Sequence, residues 1–119
     1  MGKNVATIQT FTDTVTTQLN TEVEVVSITG DVAPYAIVEG YIDLSQIPDD
    51  ATVIIREYVG IGSTPVLFLQ TTVDATLAEK IIRFHSKALP NGGSYKVTIE
   101  QTAGTTFSVQ YWFAKTGLT

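Results

Sequence analysis

The chain has 119 residues, no cysteine and a formal net charge of −5 at pH 7. Its length is typical of one domain. The missing cysteines exclude disulfides and thiolate metal sites, and the acidic balance with scattered Lys and Arg argues against nucleic-acid binding. No apolar run approaches the roughly 18 residues of a membrane span. Only 16% of the residues are charged, which indicates either a surface partly covered by other subunits or Thr in the outward strand positions.

Residues 1–20 are rich in Thr, which favours extended backbone over helix. Val5, Ile8 and Phe11 also fit a helical spacing, but the many Thr residues disfavour it. We predict that residues 1–20 form an extended arm leading into the first strand, and that residues 21–119 form the main domain. The arm either frays or wraps a neighbouring subunit, and these three apolar residues would then contact that neighbour.

Alternating apolar and polar residues predict strands through the first half of the domain. In residues 22–28 the alternation breaks at Val26 and Ile28, which predicts a bulge. Residues 35–44 and 52–59 are the next two strands. Residues 45–51 form a loop with Pro and two Asp, so this pair is either a hairpin or a crossover between sheets.

Residues 66–73 form a further strand, residues 74–79 resemble a single helical turn, and residues 80–86 return as a strand. A loop over residues 87–93 precedes two alternating runs within residues 94–114. These runs predict a closing antiparallel hairpin with one buried face. Tyr95, Val97 and Ile99 share that face with a row of residues on the second run, Phe107, Val109, Tyr111 and Phe113.

The pattern of short strands separated by turns every 8–12 residues or so, without a βαβ rhythm, is typical of an all-β fold. We predict a single-domain antiparallel β-sandwich, jelly-roll-like, with an immunoglobulin-like Greek-key sandwich as the alternative.

The titratable residues point to no catalytic, cofactor or metal site, so we do not expect an enzyme. His85 is the one histidine, and no Gly-x-Ser-x-Gly elbow accompanies it. Asp49 and Asp50 lie in a Pro-containing loop, where Asp side chains usually bond backbone amides. Calcium binding by these residues with Asp31 would need six or so oxygens, and the sequence lacks the EF-hand pattern.

Three aromatic residues fall opposite the expected core faces of their strands: Tyr41, Tyr58 and Trp112. Outward aromatic side chains fit a subunit interface or a platform on which a sugar stacks. Two alternatives are that both faces of the last strand are buried, or that its faces are reversed.

Two segments resemble small β-sandwich virion structural proteins encoded by tailed viruses of bacteria and archaea. YIDLSQIPDDATVIIREYV is similar to a hairpin of that family, and KVTIEQTAGTTFSVQYWF is similar to its closing element. The two segments cover about a third of the chain, and the residues before about position 21 lie outside the resemblance.

The resemblance implies a capsid-associated decoration, cement or turret subunit that stabilises the head through symmetric contacts and catalyses no reaction. It implies a homo-oligomer, with a trimer favoured, that binds the major capsid protein or other virion proteins. The implied location is the virion, assembled in the host cytoplasm. We do not expect the chain to bind nucleic acid, a membrane or a cofactor. The alternative from the residues is a carbohydrate-binding, lectin-like module. The expected interface residues are Val5, Ile8, Phe11, Tyr41, Tyr58 and Trp112.

Overall fold

The computed structural model describes residues 6–118, which contain eight strands. Within these residues, no helix is long and apolar enough to cross a membrane. The strands are β1 (Ala6–Thr16), β2 (Glu22–Thr29), β3 (Tyr35–Asp43), β4 (Thr52–Gly60), β5 (Val66–Asp74), β6 (Ile81–Pro90), β7 (Ser94–Ala103) and β8 (Ser108–Leu118). They form two four-stranded sheets, with the order β1-β8-β3-β6 in the first and β2-β7-β4-β5 in the second.

The strand pairs are nested along the chain. β1 pairs with β8, β2 with β7, β3 with β6 and β4 with β5, all antiparallel. This arrangement is one long antiparallel ribbon, with β4 and β5 at its turn, rolled into two packed sheets. That is the jelly-roll topology, so the fold predicted from the strand spacing is confirmed.

The closing hairpin is the main correction to the sequence prediction. β7 lies in the second sheet between β2 and β4, and β8 lies in the first sheet between β1 and β3. The alternation was read correctly, since Tyr95, Val97, Val109 and Phe113 are all buried. These two apolar faces meet across the core instead of lying side by side in one sheet, because the connection after β7 crosses between the sheets. β3 and β4 are likewise joined by a crossover, one of the two expected arrangements.

Three segment boundaries also differ from or refine the expectation. β1 begins at Ala6 and pairs with β8 over its whole length, so most of the expected arm is a strand of the sandwich. β6 continues to Pro90, through residues expected to form a loop, because they pair with the start of β3. Residues after Asp74 form a turn, closed by a bond from Leu77 N to Asp74 O of 3.1 Å, rather than a helical turn. The predicted bulge in β2 lies between Glu24 and Val26.

The core lies between the two sheets and is made of the inward side chains of the central strands. Phe113 is fully buried near its centre, with its ring centroid 5.3 Å from that of Phe84 and 6.2 Å from that of Tyr95. Burial of such side chains contributes about 1.5–3 kcal/mol each. The outward side chains of the same strands are therefore not needed for the core and are available to contact other molecules.

Candidate interaction surface

Tyr41 and Trp112 lie together on the outer face of the first sheet. They are directly opposite each other on β3 and β8, with ring centroids 6.3 Å apart and planes tilted by 30°. Tyr41 is 43% exposed and Trp112 is 41% exposed. The side chain of Trp112 therefore points outward. The last strand has neither both faces buried nor its faces reversed, the two alternatives considered from the sequence. We call these two residues the aromatic pair.

A shallow cleft of about 250 Å³ adjoins the aromatic pair. Polar side chains of Thr12, Asp43 and Gln110 contribute to its wall. Asp43 accepts a bond of 2.8 Å from the backbone of Ser45, and the Thr12 hydroxyl donates to the carbonyl of Tyr111 at 3.1 Å. The surface thus combines two exposed rings with hydrogen-bonding groups, a composition that suits protein interfaces and sugar rings alike.

The remaining predicted interface residues do not join the aromatic pair. Ile8 is 64% exposed on the outer face of β1, four residues along the strand from Thr12, which pairs with Trp112. Phe11 is half-buried and packs against the core from the inner face of β1. Tyr58 lies on the outer face of the second sheet, and Val5 lies outside the described residues.

Tyr58 belongs to a polar cluster on β2, β4 and β7, centred on Glu22. Glu22 accepts hydrogen bonds from the hydroxyls of Tyr58 and of Thr98, the latter at 2.5 Å, and forms an ion pair of 3.4 Å with Arg56. Arg56 also bonds Glu100 at 2.8 Å. Partial burial acts to raise the pKa of Glu22, but the hydrogen bonds from Thr98 and Tyr58 and the charge of Arg56 outweigh it, so the pKa is lowered. This cluster ties three strands together.

A second polar group, missed by sequence reasoning, lies inside the sandwich. Glu57 points inward from β4 and is 3% exposed. Its Oε2 accepts the hydroxyl of Tyr95 at 2.5 Å and pairs with Lys87 Nζ at 2.7 Å. Lys87 reaches inward from β6 and lies 5.3 Å from the centre of the Tyr95 ring. Burial, followed by the bond to Glu57, raises the pKa of Tyr95 beyond its usual range. The group links the two sheets.

The edge of the sandwich formed by β5 and β6 is open. A groove of about 410 Å³ runs between these two edge strands, with Glu57 and Ile55 among the residues that line it. Along β5, four consecutive apolar side chains are at least half exposed: Val66 at 62%, Leu67 at 50%, Phe68 at 55% and Leu69 at 58%. Sequence reasoning placed a strand here but not its position at an edge.

Two of the three carboxylates considered for calcium, Asp50 and Asp31, have structural partners instead. Asp50 accepts bonds from the backbone and hydroxyl of Thr105, at 3.1 and 3.0 Å, and so links two loops at one end of the sandwich. Asp31 forms an ion pair of 2.7 Å with Lys115. Among residues 6–118, no three His, Asp or Glu side chains are grouped so that they could hold a metal ion.

Comparisons with known proteins extend the fold assignment. No protein-family model and no curated protein sequence matches the chain. The structure is similar to that of the infectious bursal disease virus VP2 subviral particle, with a TM-score of 0.52 and 17% identity over 94% of this chain. It is also similar to a structure of the Gx strain of the same virus, with a TM-score of 0.55 and 14% identity over 95% of this chain.

The matched region spans 33% of each virus chain, so this chain corresponds to about a third of their length. At these identities the likeness shows a shared β-sandwich fold. Both structures come from infectious bursal disease virus, so they carry no link to tailed viruses of bacteria or archaea.

Proposed function

We propose that this chain is a virion structural protein that works by surface contact. The observation that carries the proposal is the nested strand order β1-β8-β3-β6 and β2-β7-β4-β5, together with the likeness over nearly the whole chain to a particle-forming virus protein. The aromatic pair, which the fold leaves exposed on one sheet face, supports it.

In the narrower form of the proposal, the chain is a decoration, cement or turret subunit on the head of a tailed virus. It binds the major capsid protein or other virion proteins as a homo-oligomer, with a trimer favoured, and it reaches the virion by assembly in the host cytoplasm. Many copies make modest individual contacts, and their linkage on one shell raises the overall affinity. The sequence resemblance supports this form.

The aromatic pair is the proposed contact with the shell. Tyr and Trp supply large contact areas with few rotatable bonds, and truncation of such anchors at the centre of an interface often costs about 2 kcal/mol or more. A loss of that size weakens binding by roughly thirtyfold. Asp43 and Gln110 beside the rings are positioned to orient the partner through hydrogen bonds.

Binding of the purified chain to empty capsids assembled from the major capsid protein of the same genome tests the proposal. Trp112→Ala and Tyr41→Ala are expected to weaken binding by tenfold or more in a sedimentation assay. The matched control is Tyr35→Ala, an aromatic residue that is 50% exposed on the same strand as Tyr41; it should bind like the wild type. No binding by the wild-type chain, or equal loss in all three variants, contradicts the proposal.

The cleft beside the aromatic pair favours a second candidate function, carbohydrate binding. A sugar ring stacks on exposed Trp or Tyr while nearby carboxylate and amide groups bond its hydroxyls. If the chain has this function, glycan binding measured by calorimetry should be lost in Trp112→Ala and Asp43→Ala, and the chain should be a monomer while it binds. Absence of any glycan binding across a broad glycan array would exclude this candidate.

A further inference from the structure

The groove between the edge strands β5 and β6 has apolar walls and a buried charged pair. Its volume of about 410 Å³ falls within the range of roughly 300–1,000 Å³ that is usual for small-molecule sites. Its apolar lining comes from β4, β5 and β6 and consists of Ile55, Phe68, Leu69, Ile82 and Phe84. Glu57 and Lys87 line it as well, and Glu57 is 3% exposed. The groove therefore offers an apolar molecule one place at which a polar group can bond.

β5 is bulged where it borders this groove. Leu69 pairs with Glu57 and Leu67 pairs with Tyr58, so Phe68 is an extra residue between them. Leu69 shares the inner face with its buried partner Glu57. Strict alternation from Leu69 would turn Phe68 away from the groove, but the bulge lets Phe68 line it.

β6 is bulged at the same groove. Phe84 pairs with Gly40 and Lys87 pairs with Val38, so three steps along β6 match two steps along β3. Strict alternation from the buried Phe84 would place Lys87 on the outer face of the sheet. The bulge brings it to the inner face, where its Nζ lies 2.7 Å from Oε2 of Glu57. Bulges often occur beside active sites, where they re-aim a side chain, so the two bulges together indicate a site in this groove.

The charged pair keeps hydrogen-bonding capacity for a further molecule. Oε2 of Glu57 contacts both the Tyr95 hydroxyl and the Lys87 ammonium, which leaves Oε1 to accept from another donor. The Lys87 ammonium has three donors, and it contacts Glu57 and the carbonyl of His85, which leaves one. A buried ion pair is often no more stabilising than apolar side chains of similar volume, so linking the two sheets does not by itself account for this pair.

We propose that the groove binds an uncharged, mainly apolar small molecule whose single hydroxyl group bonds the Glu57–Lys87 pair. The pair is neutral overall, so a charged ligand would bring an unbalanced charge among apolar side chains, at a high cost. A hydroxyl group has one hydrogen to donate to Glu57 and lone pairs to accept from Lys87. Arg83 and His85 also line the groove, but they are exposed, so water and salt screen a charge there.

The body of the ligand would lie against the apolar walls. Phe68 and Leu69 are 55% and 58% exposed, and a ligand in the groove covers the parts of these side chains that face it. The aromatic pair lies on the outer face of the first sheet, whereas the groove opens between the sheets. The proposal therefore does not depend on capsid binding.

Calorimetry with three probes of similar shape tests the class of ligand. The first, para-butylphenol, carries a hydroxyl group on an apolar body, and para-butylbenzoate and para-butylbenzylammonium carry a negative or a positive charge instead. The phenol should bind at least tenfold more tightly than either charged probe, and the changes it causes in backbone amide NMR shifts should lie on β4, β5 and β6. Absence of phenol binding at millimolar concentration, equal binding of the three probes, or shifts centred on Trp112 would overturn the proposal.

Two tryptophan substitutions on β5 test the location independently. Leu69→Trp fills the groove and should weaken binding of the phenol by at least tenfold. The matched control, Leu67→Trp, places the same side chain two residues earlier, on the face that carries Tyr58, and should change the affinity by less than twofold. Equal affinities of the two variants would contradict binding in the groove.

Lys87→Ala tests the contact with the charged pair. It removes the cation beside Glu57, so the preference between probes should invert. The ammonium probe should then bind at least tenfold more tightly than the phenol, because its charge takes the place of the lysine. An unchanged preference for the phenol would contradict a bond to the pair. The two tryptophan variants keep the pair intact, so they remain decisive if Lys87→Ala does not fold.

Discussion

Gly40 on β3 lies directly opposite Phe113 on β8, and the Phe113 ring covers it. A Cβ atom at this residue would lie 2.2 Å from Cδ2 of Phe113 and 2.5 Å from the carbonyl oxygen of Trp112. Phe113 is fully buried against Phe84 and Tyr95. Nothing in the local sequence predicts that a ring lies over Gly40, because β8 is about 70 residues away in the chain.

Gly40→Ala is expected to destabilise the protein by about 1–3 kcal/mol, because the ring and the β3–β8 backbone must shift to admit one methyl group. Urea unfolding followed by Trp112 fluorescence measures this change. The matched control is Gly62→Ala, where a Cβ would meet nothing within 4 Å, and the expected change is within about 0.5 kcal/mol. Similar losses in both variants would mean that loop or strand propensity, and not crowding of Phe113, sets the cost.

The buried Glu57 shows where residue-scale prediction from the sequence stops. Alternation along β4 puts position 57 on the inner face with Val53 and Ile55, and a charged residue there contradicts the pattern. The two side chains that satisfy it, Lys87 and Tyr95, come from strands 30 or more residues away. The local sequence does not predict such distant partners. The apolar inner positions were predicted correctly, because the alternation within a single strand is enough to identify them.

Lys87→Met is expected to lower the free energy of unfolding by about 2–3 kcal/mol, since it leaves the carboxylate of Glu57 buried with one partner fewer. This value is reduced from that of a fully buried pair because the Lys87 side chain is 16% exposed. The double variant Glu57→Gln/Lys87→Met should regain part of the loss. Lys96→Met, which removes a cation 4.6 Å from the centre of the Tyr58 ring whose charge also acts on Glu22, should cost about 0.5–1 kcal/mol. If Lys87→Met lowers the free energy of unfolding by no more than Lys96→Met does, the role of the ion pair is contradicted.

At the scale of the strand, the cluster around Glu22 holds β2, β4 and β7 together from outside the core. The folded pKa of Glu22 is below its ordinary value of 4.5. As the pH falls, the unfolded chain therefore takes up this proton first. The stabilisation that Glu22 gives is fully present above about pH 4.5 and is lost as the pH falls through the folded pKa.

Glu22→Gln should thus cost about 0.5–1 kcal/mol at pH 7, a modest value because the carboxylate is 36% exposed, and almost nothing at pH 2. Urea unfolding at the two pH values measures the difference. The pKa values of Asp31 and Asp50 are also lowered, by bonds from Lys115 and Thr105. Both residues are present in the wild type and in Glu22→Gln, so their contributions cancel in the difference between the two free energies of unfolding. Glu24→Gln on the same strand is the control, with little change expected at either pH. A cost that stays constant down to pH 2 would rule out the charge as its source.

Strand positions were largely predictable, and their partners were not. The alternation of β2, β3, β4 and β8 depends on local sequence, so the strands, their buried faces and the bulge before Val26 followed from it. The end of β6 did not, because Lys87–Pro90 contain loop-forming residues and become a strand only by pairing with β3. β7 and β8 resemble a hairpin by length and turn, and only the packing of their apolar faces across the core separates them into two sheets.

For the molecule as a whole, the jelly roll gives two outer sheet faces, two edges and two ends that carry the loops. The class of fold followed from strand spacing, but the nested order did not, since each pairing beyond β4–β5 joins segments far apart in the chain. The candidate surfaces depend on that order. The aromatic pair forms because β8 lies beside β3, and the apolar edge exists because β5 ends its sheet. Tyr41 and Trp112 were each identified from the sequence, but their adjacency was not.

The pairing of Ala6 with Leu118 at one corner of the sandwich has a mechanical consequence. Tension applied between these two residues loads the β1–β8 ladder from its end, so its hydrogen bonds break one pair after another and not all together. The chain should therefore open at low force when pulled between Ala6 and Leu118. It should resist more strongly when pulled between Ala6 and Asp50 at the opposite end, where the strands must slide. Single-molecule pulling with handles at these two pairs of residues measures the contrast, and equal rupture forces would contradict it.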